Sequence, residues 1–126
     1  MSVTIPASIG ELWDKFSILT IKLEQIQDES KRKRVEQEKE MLMSSMEGYC
    51  DHPLWIRLKE TNQILWTIED RIRQKERDQA FDQEFIQLAR SVYLVNDKRA
   101  EIKAHINREF DSILVEVKDY VSYHER

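Results

Sequence analysis

The chain has 126 residues, enough for one domain. It contains only two Gly and two Pro, which excludes turn-rich β-sandwiches and barrels and the Gly-rich loops of Rossmann and P-loop sites. Twenty basic residues face 24 acidic ones, for a net charge of -4, which argues against a nucleic-acid partner because such proteins need a basic face.

The first predicted helix begins after Ser8. The run from Ser8 to Glu11 has the S-x-x-E form of a capping box, in which both side chains bind free backbone N–H groups. Ile18 and Ile21 fall on a second apolar face, so we expect this helix to be buried on two sides, either centrally in a bundle or against another subunit. The main face carries Ile9, Leu12, Trp13, Phe16, Leu19, Thr20, Leu23 and Ile26.

The second predicted helix covers about 29 to 47 and has only a thin apolar stripe. Its apolar positions are Val35, Leu42 and Met46. Acids and bases are balanced along this segment, which is typical of a solvated face with pairs four residues apart. Glu29 and Lys33 form one such predicted pair, and Glu69 and Arg73 form another further along the chain. We expect this helix to be the most exposed one.

The third predicted helix runs from about 52 to 78, after a loop in which Asp51 is the expected N-cap. Its stripe consists of Leu54, Leu58, Thr61, Leu65, Ile68 and Ile72. Trp55 and Trp66 widen this stripe on one flank and imply a large buried area. That area belongs to the core, a subunit interface or a pocket wall, and the pattern leaves all three open.

The fourth predicted helix begins after Asp82 as N-cap and continues to about 110. Its apolar spacing is close to 3.5 residues, which suits antiparallel packing. The stripe consists of Phe85, Leu88, Val92, Val95, Ile102, Ile106 and Phe110. The sequence therefore predicts an all-α fold, an antiparallel bundle of about four helices with a long fourth helix.

A single helical domain accounts for residues 1–126, with an N-terminal arm at 1–7 and a tail at 111–126. The tail holds Ile113, Val115 and Val117, which fit a helix and a strand equally well. The structure of the tail therefore stays open between these two alternatives.

The fourth helix carries a polar arc inside its apolar stripe. The arc consists of Asn96, Arg99, Lys103 and Asn107. Polar groups on a core-facing surface must be satisfied. One hypothesis is an anion pocket between helices, with Arg99 as a bidentate clamp for a carboxylate or phosphate. The alternatives are that the arc reaches water beyond the core, or that it pairs with Asp14, Glu69 or Asp70. The candidate binding residues are Asn96, Arg99, Lys103, Asn107, Asp14 and Glu69.

Apolar residues without an assigned role predict a homodimer. The second face of the first helix and the aromatic flank of the third are the expected contact surfaces. The candidate interface residues are Ile18, Ile21, Trp55 and Trp66. A further protein partner is expected, but its identity is not encoded in any motif.

No residue pattern predicts catalysis, a metal or another cofactor. Glu11 and Asp14 make only half of the paired-carboxylate pattern that helical enzymes use for magnesium, and Glu11 is the expected capping residue. The histidines lack metal-ligand spacing; they are His52, His105 and His124. An enzyme is therefore less favoured than a binding protein.

The expected location is the cytoplasm. No apolar stretch approaches the roughly 18 residues needed to span a membrane. The N-terminus lacks the basic start and apolar run of a signal peptide.

Cys50 is the single cysteine, so no internal disulfide can form and a reduced thiol is expected.

Three stretches resemble a family of small bacterial proteins of unknown function. Residues 5–22 follow the pattern I-P-x-S-x-G-E-L-x-D-K-x-x-I-L-x-I-K, and residues 65–76 and 85–107 are also similar. The resemblance implies an all-helical bacterial protein and a neighbourhood of glycosyltransferase and surface-polysaccharide genes. It assigns no catalytic residue. Trp13 departs from the pattern, since a smaller aliphatic residue is usual there.

Two functions are consistent with these features. The first is a non-enzymatic, dimeric interaction or accessory protein linked to bacterial surface-polysaccharide biosynthesis. The second is a small helical enzyme or binder of an anionic metabolite that uses the polar arc of the fourth helix.

Overall fold

The computed structural model describes residues 1–124 and confirms an all-α fold. The helices are α1 (Ile9–Gln25), α2 (Glu29–Met46), α3 (Pro53–Arg77) and α4 (Gln83–Glu109). Within residues 1–124, none of these helices combines the length and apolar character that crossing a membrane requires.

Helix α1 lies at the centre of the bundle and packs against each of the other three helices. This position explains its second apolar face, because Ile21 is buried within the chain and Ile18 is half-buried. Helix α2 packs on α1, and α3 packs on α4 and α1. The prediction that α2 is the most exposed helix agrees with its single buried residue, Met46.

The core is formed by large side chains from all four helices. Its buried members are Trp13, Phe16, Met46, Leu54, Trp55, Leu58, Ile102 and Ile106. Trp13 sits where the α2–α3 loop meets the end of α4, with its ring centroid 5.3 Å from Tyr49 and 5.0 Å from Phe110. The bulky residue at this position thus joins three parts of the chain through aromatic contacts.

Two of the predicted caps need correction. Ser8 Oγ accepts the Glu11 N–H at 3.1 Å as predicted, but the carboxylate of Glu11 binds Lys103 instead of returning to the backbone. The N-cap of α3 is His52 and not Asp51, and His52 Nδ1 accepts the Leu54 N–H at 3.1 Å. Proline at the first helical position moves the cap one residue along, because proline lacks an N–H and is favoured there.

The predicted charge pairs along the helices are also absent from the described part of the chain. Neither Glu29 with Lys33 nor Glu69 with Arg73 forms an ion pair among residues 1–124. Water competes effectively for such exposed pairs, whose contribution to stability is small. Arg32 of α2 instead donates a hydrogen bond to the Ile26 carbonyl oxygen at 2.9 Å. This bond supplies a partner for a free carbonyl group at the end of α1.

The C-terminal tail forms neither of the two predicted structures. Residues 111–124 contain no helix and no strand. Ile113 and Val117 are 98% and 85% exposed, so they have no apolar surface to pack against and nothing stabilises either regular structure. Glu116 and Tyr123 bind Lys103 and Asp97 on α4. Residues 125 and 126, the end of the predicted tail, lie outside the described residues.

A close approach between α1 and α4 depends on Gly10. Its N–H donates to Asn107 Oδ1 at 2.7 Å. A Cβ at this position would lie 2.8 Å from the carbonyl oxygen of Lys103 and 3.0 Å from Asn107 Oδ1. The glycine therefore lets the start of α1 touch the backbone of α4, where any side chain would force the helices apart.

The substitution Gly10→Ala should destabilise the protein by about 1–3 kcal/mol, because the added methyl group overpacks the contact. Urea unfolding followed by circular dichroism measures this change. The sign is diagnostic, since helix propensity alone favours Ala over Gly by up to about 1 kcal/mol. An equally stable or more stable Gly10→Ala variant would show that the two helices do not meet here.

Candidate ligand-binding cleft

The polar arc of α4 faces the interior of the bundle. Lys103 and Asn107 are buried, and Asn96 and Arg99 are half-buried. The four side chains lie on one face because they are spaced three or four residues apart. Asn107 is satisfied by the Gly10 N–H, so its role is to join α4 to α1.

A buried carboxylate stands opposite this arc. Asp14 on α1 is only 5% exposed. Its Oδ1 accepts a hydrogen bond from Asn62 Nδ2 on α3 at 2.8 Å, and the same Nδ2 donates to Ser17 Oγ at 2.8 Å. The hydroxyl of Ser17 donates to the Asp14 carbonyl oxygen at 2.7 Å. Asp14, Ser17 and Asn62 thus form a polar layer that fixes α3 against α1.

Lys103 is surrounded by carboxylates. Its Nζ lies 2.8 Å from Glu11 Oε2, 3.1 Å from Glu116 Oε2 and 3.8 Å from Asp14 Oδ2. Burial opposes the charge, but the hydrogen bonds to Glu11 and Glu116 and the negative charge of Asp14 outweigh it and raise the pKa of Lys103. Lys103 is therefore charged, and its three donors are directed at protein carboxylates.

Arg99 is held much more loosely than Lys103. Its Nη1 is 3.4 Å from Asn62 Oδ1 and 3.9 Å from Asp14 Oδ2, both longer than a good hydrogen bond. A guanidinium has five N–H donors. Within residues 1–124 the Nη2 and Nε donors of Arg99 have no hydrogen-bond partner, so most of its binding capacity is unused.

A cleft of about 420 Å³ opens beside Arg99, between α1, α3 and α4. The lining residues are Ile18, Ile21, Asn62, Leu65, Trp66, Glu69, Asp70, Arg73, Asn96 and Arg99. Isoleucine, leucine and tryptophan side chains form the apolar part of the wall. Its polar part contains two amides, two carboxylates and two guanidinium groups.

The charged residues of α3 at this cleft have no partner in the described chain. The side chains of Glu69, Asp70 and Arg73 form neither an ion pair nor a hydrogen bond with residues 1–124. They are exposed at the mouth of the cleft. Charges of both signs are thus available to a molecule that enters it.

The model of a "family of unknown function (DUF6165)" matches residues 1–124. The chain belongs to this family. Searches of curated proteins and of solved structures find no match. The description of the family assigns no activity, so the roles of the residues are argued from the geometry.

The predicted binding residues divide into two groups in the structure. Asn96, Arg99 and Glu69 line the cleft, whereas Asp14, Lys103 and Asn107 belong to the buried contacts behind it. Of the predicted interface residues, Trp55 and Ile21 are buried inside the chain. Ile18 and Trp66 are half-buried and line the cleft.

The predicted binding residues did not include Asn62, Ser17, Arg73 or Glu116. Asn62 and Arg73 lie on the same face of α3 as Trp66. Their helical spacing was therefore sufficient to predict them as candidate binding residues. Ser17 follows Asp14 by three residues on α1, but its bond to Asn62 joins distant parts of the chain, and Glu116 lies in the tail, where no helical spacing relates it to Lys103.

No group of three or more His, Cys, Asp or Glu side chains within residues 1–124 is arranged to hold a metal ion. Glu11 and Asp14, the half-pattern considered for magnesium, both face the ammonium group of Lys103.

Proposed function

We propose that this protein binds a small anionic metabolite in the cleft, with Arg99 as its main contact. The observation that supports this function is the free donor capacity of Arg99 at the edge of a cavity. Guanidinium groups recognise carboxylates and phosphates through paired N–H donors, which Arg99 retains.

The surroundings of Arg99 support the same function. The side chains of Asp14 and Asn62 lie 3.9 Å and 3.4 Å from Arg99 Nη1, so they keep the guanidinium at the cleft and leave its other donors available to a ligand. Lys103 is already neutralised by three carboxylates, which leaves Arg99 as the cation of the arc that an anion can reach. The volume of the cleft falls within the range of about 300–1,000 Å³ that is typical of small-molecule sites.

Binding is favoured over catalysis because the groups on the wall are those that recognise and orient a ligand. Two guanidinium groups, two amides, two carboxylates and an indole provide hydrogen bonds, charges of both signs and a flat apolar surface. Trp66 supplies that surface, and Ile18 and Leu65 extend it.

The three tryptophans offer a direct test by nuclear magnetic resonance of their indole N–H groups. We expect small carboxylates and phosphate monoesters at millimolar concentration to include ligands that shift the Trp66 signal. The signals of Trp13 and Trp55, which are buried in the core, should stay in place. The variant Trp66→Phe assigns the signal.

Arg99→Gln should weaken these ligands at least tenfold, equivalent to about 1.4 kcal/mol, because a charge-assisted bidentate contact is lost. Arg99→Lys keeps the positive charge but lacks the paired N–H donors of a guanidinium, so it should weaken ligand binding less than Arg99→Gln does. Arg90→Ala, on the exposed side of the same helix, is the matched control. The proposal is wrong if no probe shifts Trp66, or if the shifts persist unchanged in a folded Arg99→Gln protein.

A second candidate is the homodimeric accessory protein linked to surface-polysaccharide biosynthesis in the bacterial cytoplasm. Apolar side chains on the arm and the tail support the dimer. Val3 and Ile5 on the arm are strongly exposed, as are Ile113 and Val117 on the tail. The arm and the tail adjoin, since the Ile9 N–H donates to Ser112 Oγ at 3.1 Å. Strongly exposed apolar side chains on two segments that meet at α1 are candidates for a protein contact.

Sedimentation equilibrium at micromolar concentration tests the dimer. We expect twice the mass of the chain, and we expect the double variant Ile113→Ser/Val117→Ser to lower it to one chain without loss of helicity. The control Met41→Ser/Met43→Ser removes exposed apolar side chains from α2 and should not change the mass. A monomeric wild-type protein would contradict this candidate.

A further inference from the structure

We propose that the ligand of the cleft carries both an anionic and a cationic group, at opposite ends of a flat apolar body. This inference rests on the proposed function and names the chemical class of its ligand. It follows from the sign and the order of the charges along α3.

The charges on the wall of the cleft balance. The wall contains Arg73 and Arg99 as well as Glu69 and Asp70, and the two carboxylates have no cationic partner within residues 1–124. A ligand that is only anionic would extend from Arg99 toward two free carboxylates, where like charges repel. A ligand with an ammonium group at that end would instead be attracted.

The two charged regions are separated along the helix. Asn62, Trp66 and Glu69 lie on one face of α3. Arg99 contacts Asn62, which places the anion-binding end of the cleft near this residue. Glu69 follows Asn62 by seven residues, about 10 Å along the axis at 1.5 Å per residue.

The middle of the cleft is apolar. Trp66 lies between the two charged regions, with Leu65 beside it and Ile18 opposite on α1. An indole face favours a flat body by stacking and by burial of apolar area. Beyond Glu69, the guanidinium of Arg73 repels a cation, so the cationic end of the ligand should stop at Glu69 and Asp70.

These features describe a ligand whose ammonium and acidic groups are separated by a rigid spacer. An α-amino acid does not fit this description, because its ammonium and carboxylate groups are attached to one carbon atom. A ring with the two groups at opposite positions does fit.

Three probes of nearly equal shape isolate the effect of each charge. They are 4-(aminomethyl)benzoate with both charges, 4-methylbenzoate with the anion only, and 4-methylbenzylamine with the cation only. Titration of each into the full chain, followed at the Trp66 indole N–H, gives its Kd. We expect the doubly charged probe to bind at least fivefold more tightly than either singly charged one.

The double variant Glu69→Gln/Asp70→Asn should remove this preference. It removes the partners of the ammonium group and leaves Arg99 and Arg73 in place, so 4-(aminomethyl)benzoate should then bind no more tightly than 4-methylbenzoate. Both residues are exposed and unpaired in the described chain, so the fold should be unaffected. The matched control is Glu60→Gln/Glu76→Gln, which changes the net charge equally on the same helix away from the cleft.

The possible outcomes separate this inference from the proposed function. If 4-methylbenzoate binds as tightly as the doubly charged probe in an Arg99-dependent manner, the anion site stands and the inference about a cationic end is wrong. If none of the three probes shifts the Trp66 signal, the inferred class of doubly charged ligand is wrong. The broader screen of carboxylates and phosphates then tests separately whether Arg99 binds anions. A preference that survives in Glu69→Gln/Asp70→Asn would likewise overturn the assignment of the cationic end.

Discussion

The buried carboxylate of Asp14 is the constraint on which the rest of this structure depends. A negative charge placed between three helices is costly unless cations and hydrogen-bond donors surround it. Asn62 from α3 donates to it, and Lys103 and Arg99 from α4 lie 3.8 Å and 3.9 Å away. The two cations of the polar arc are therefore required inside the bundle because they compensate the charge of Asp14.

The two cations meet this requirement in different ways. Lys103 also binds Glu11 and Glu116, which joins the start of α1 and the tail to α4. Among residues 1–124, Arg99 has only Asp14 and Asn62 as partners, both at long distances, and it lies where the cleft begins. One cation thus serves the fold, and the other retains free donors, which the proposed ligand site requires. The different roles of Lys103 and Arg99 follow from the position of the cleft and not from the residue types alone.

Helical periodicity was sufficient to predict the four helices and the polar arc, because both depend on residues three or four positions apart. It also placed Arg99 and Glu69 among the candidate binding residues. It did not predict the role of Asn62, whose partner Asp14 is distant in sequence, or the contact of Glu116 with Lys103. Gly10 lies in the first turn of α1, where glycine is unfavourable for a helix, and the packing of α1 on α4 explains it.

The central claim is that Asp14 holds both cations of α4 and competes with a ligand for Arg99. The most direct measurement is Asp14→Asn with two readouts, the free energy of unfolding in urea and the Kd of 4-methylbenzoate. We predict a loss of about 2 kcal/mol in stability, because hydrogen bonds and charge pairs of a buried carboxylate are lost. The same variant should bind the carboxylate several-fold more tightly, because Arg99 is released. Unchanged stability, or weaker binding in a folded Asp14→Asn protein, would contradict the claim.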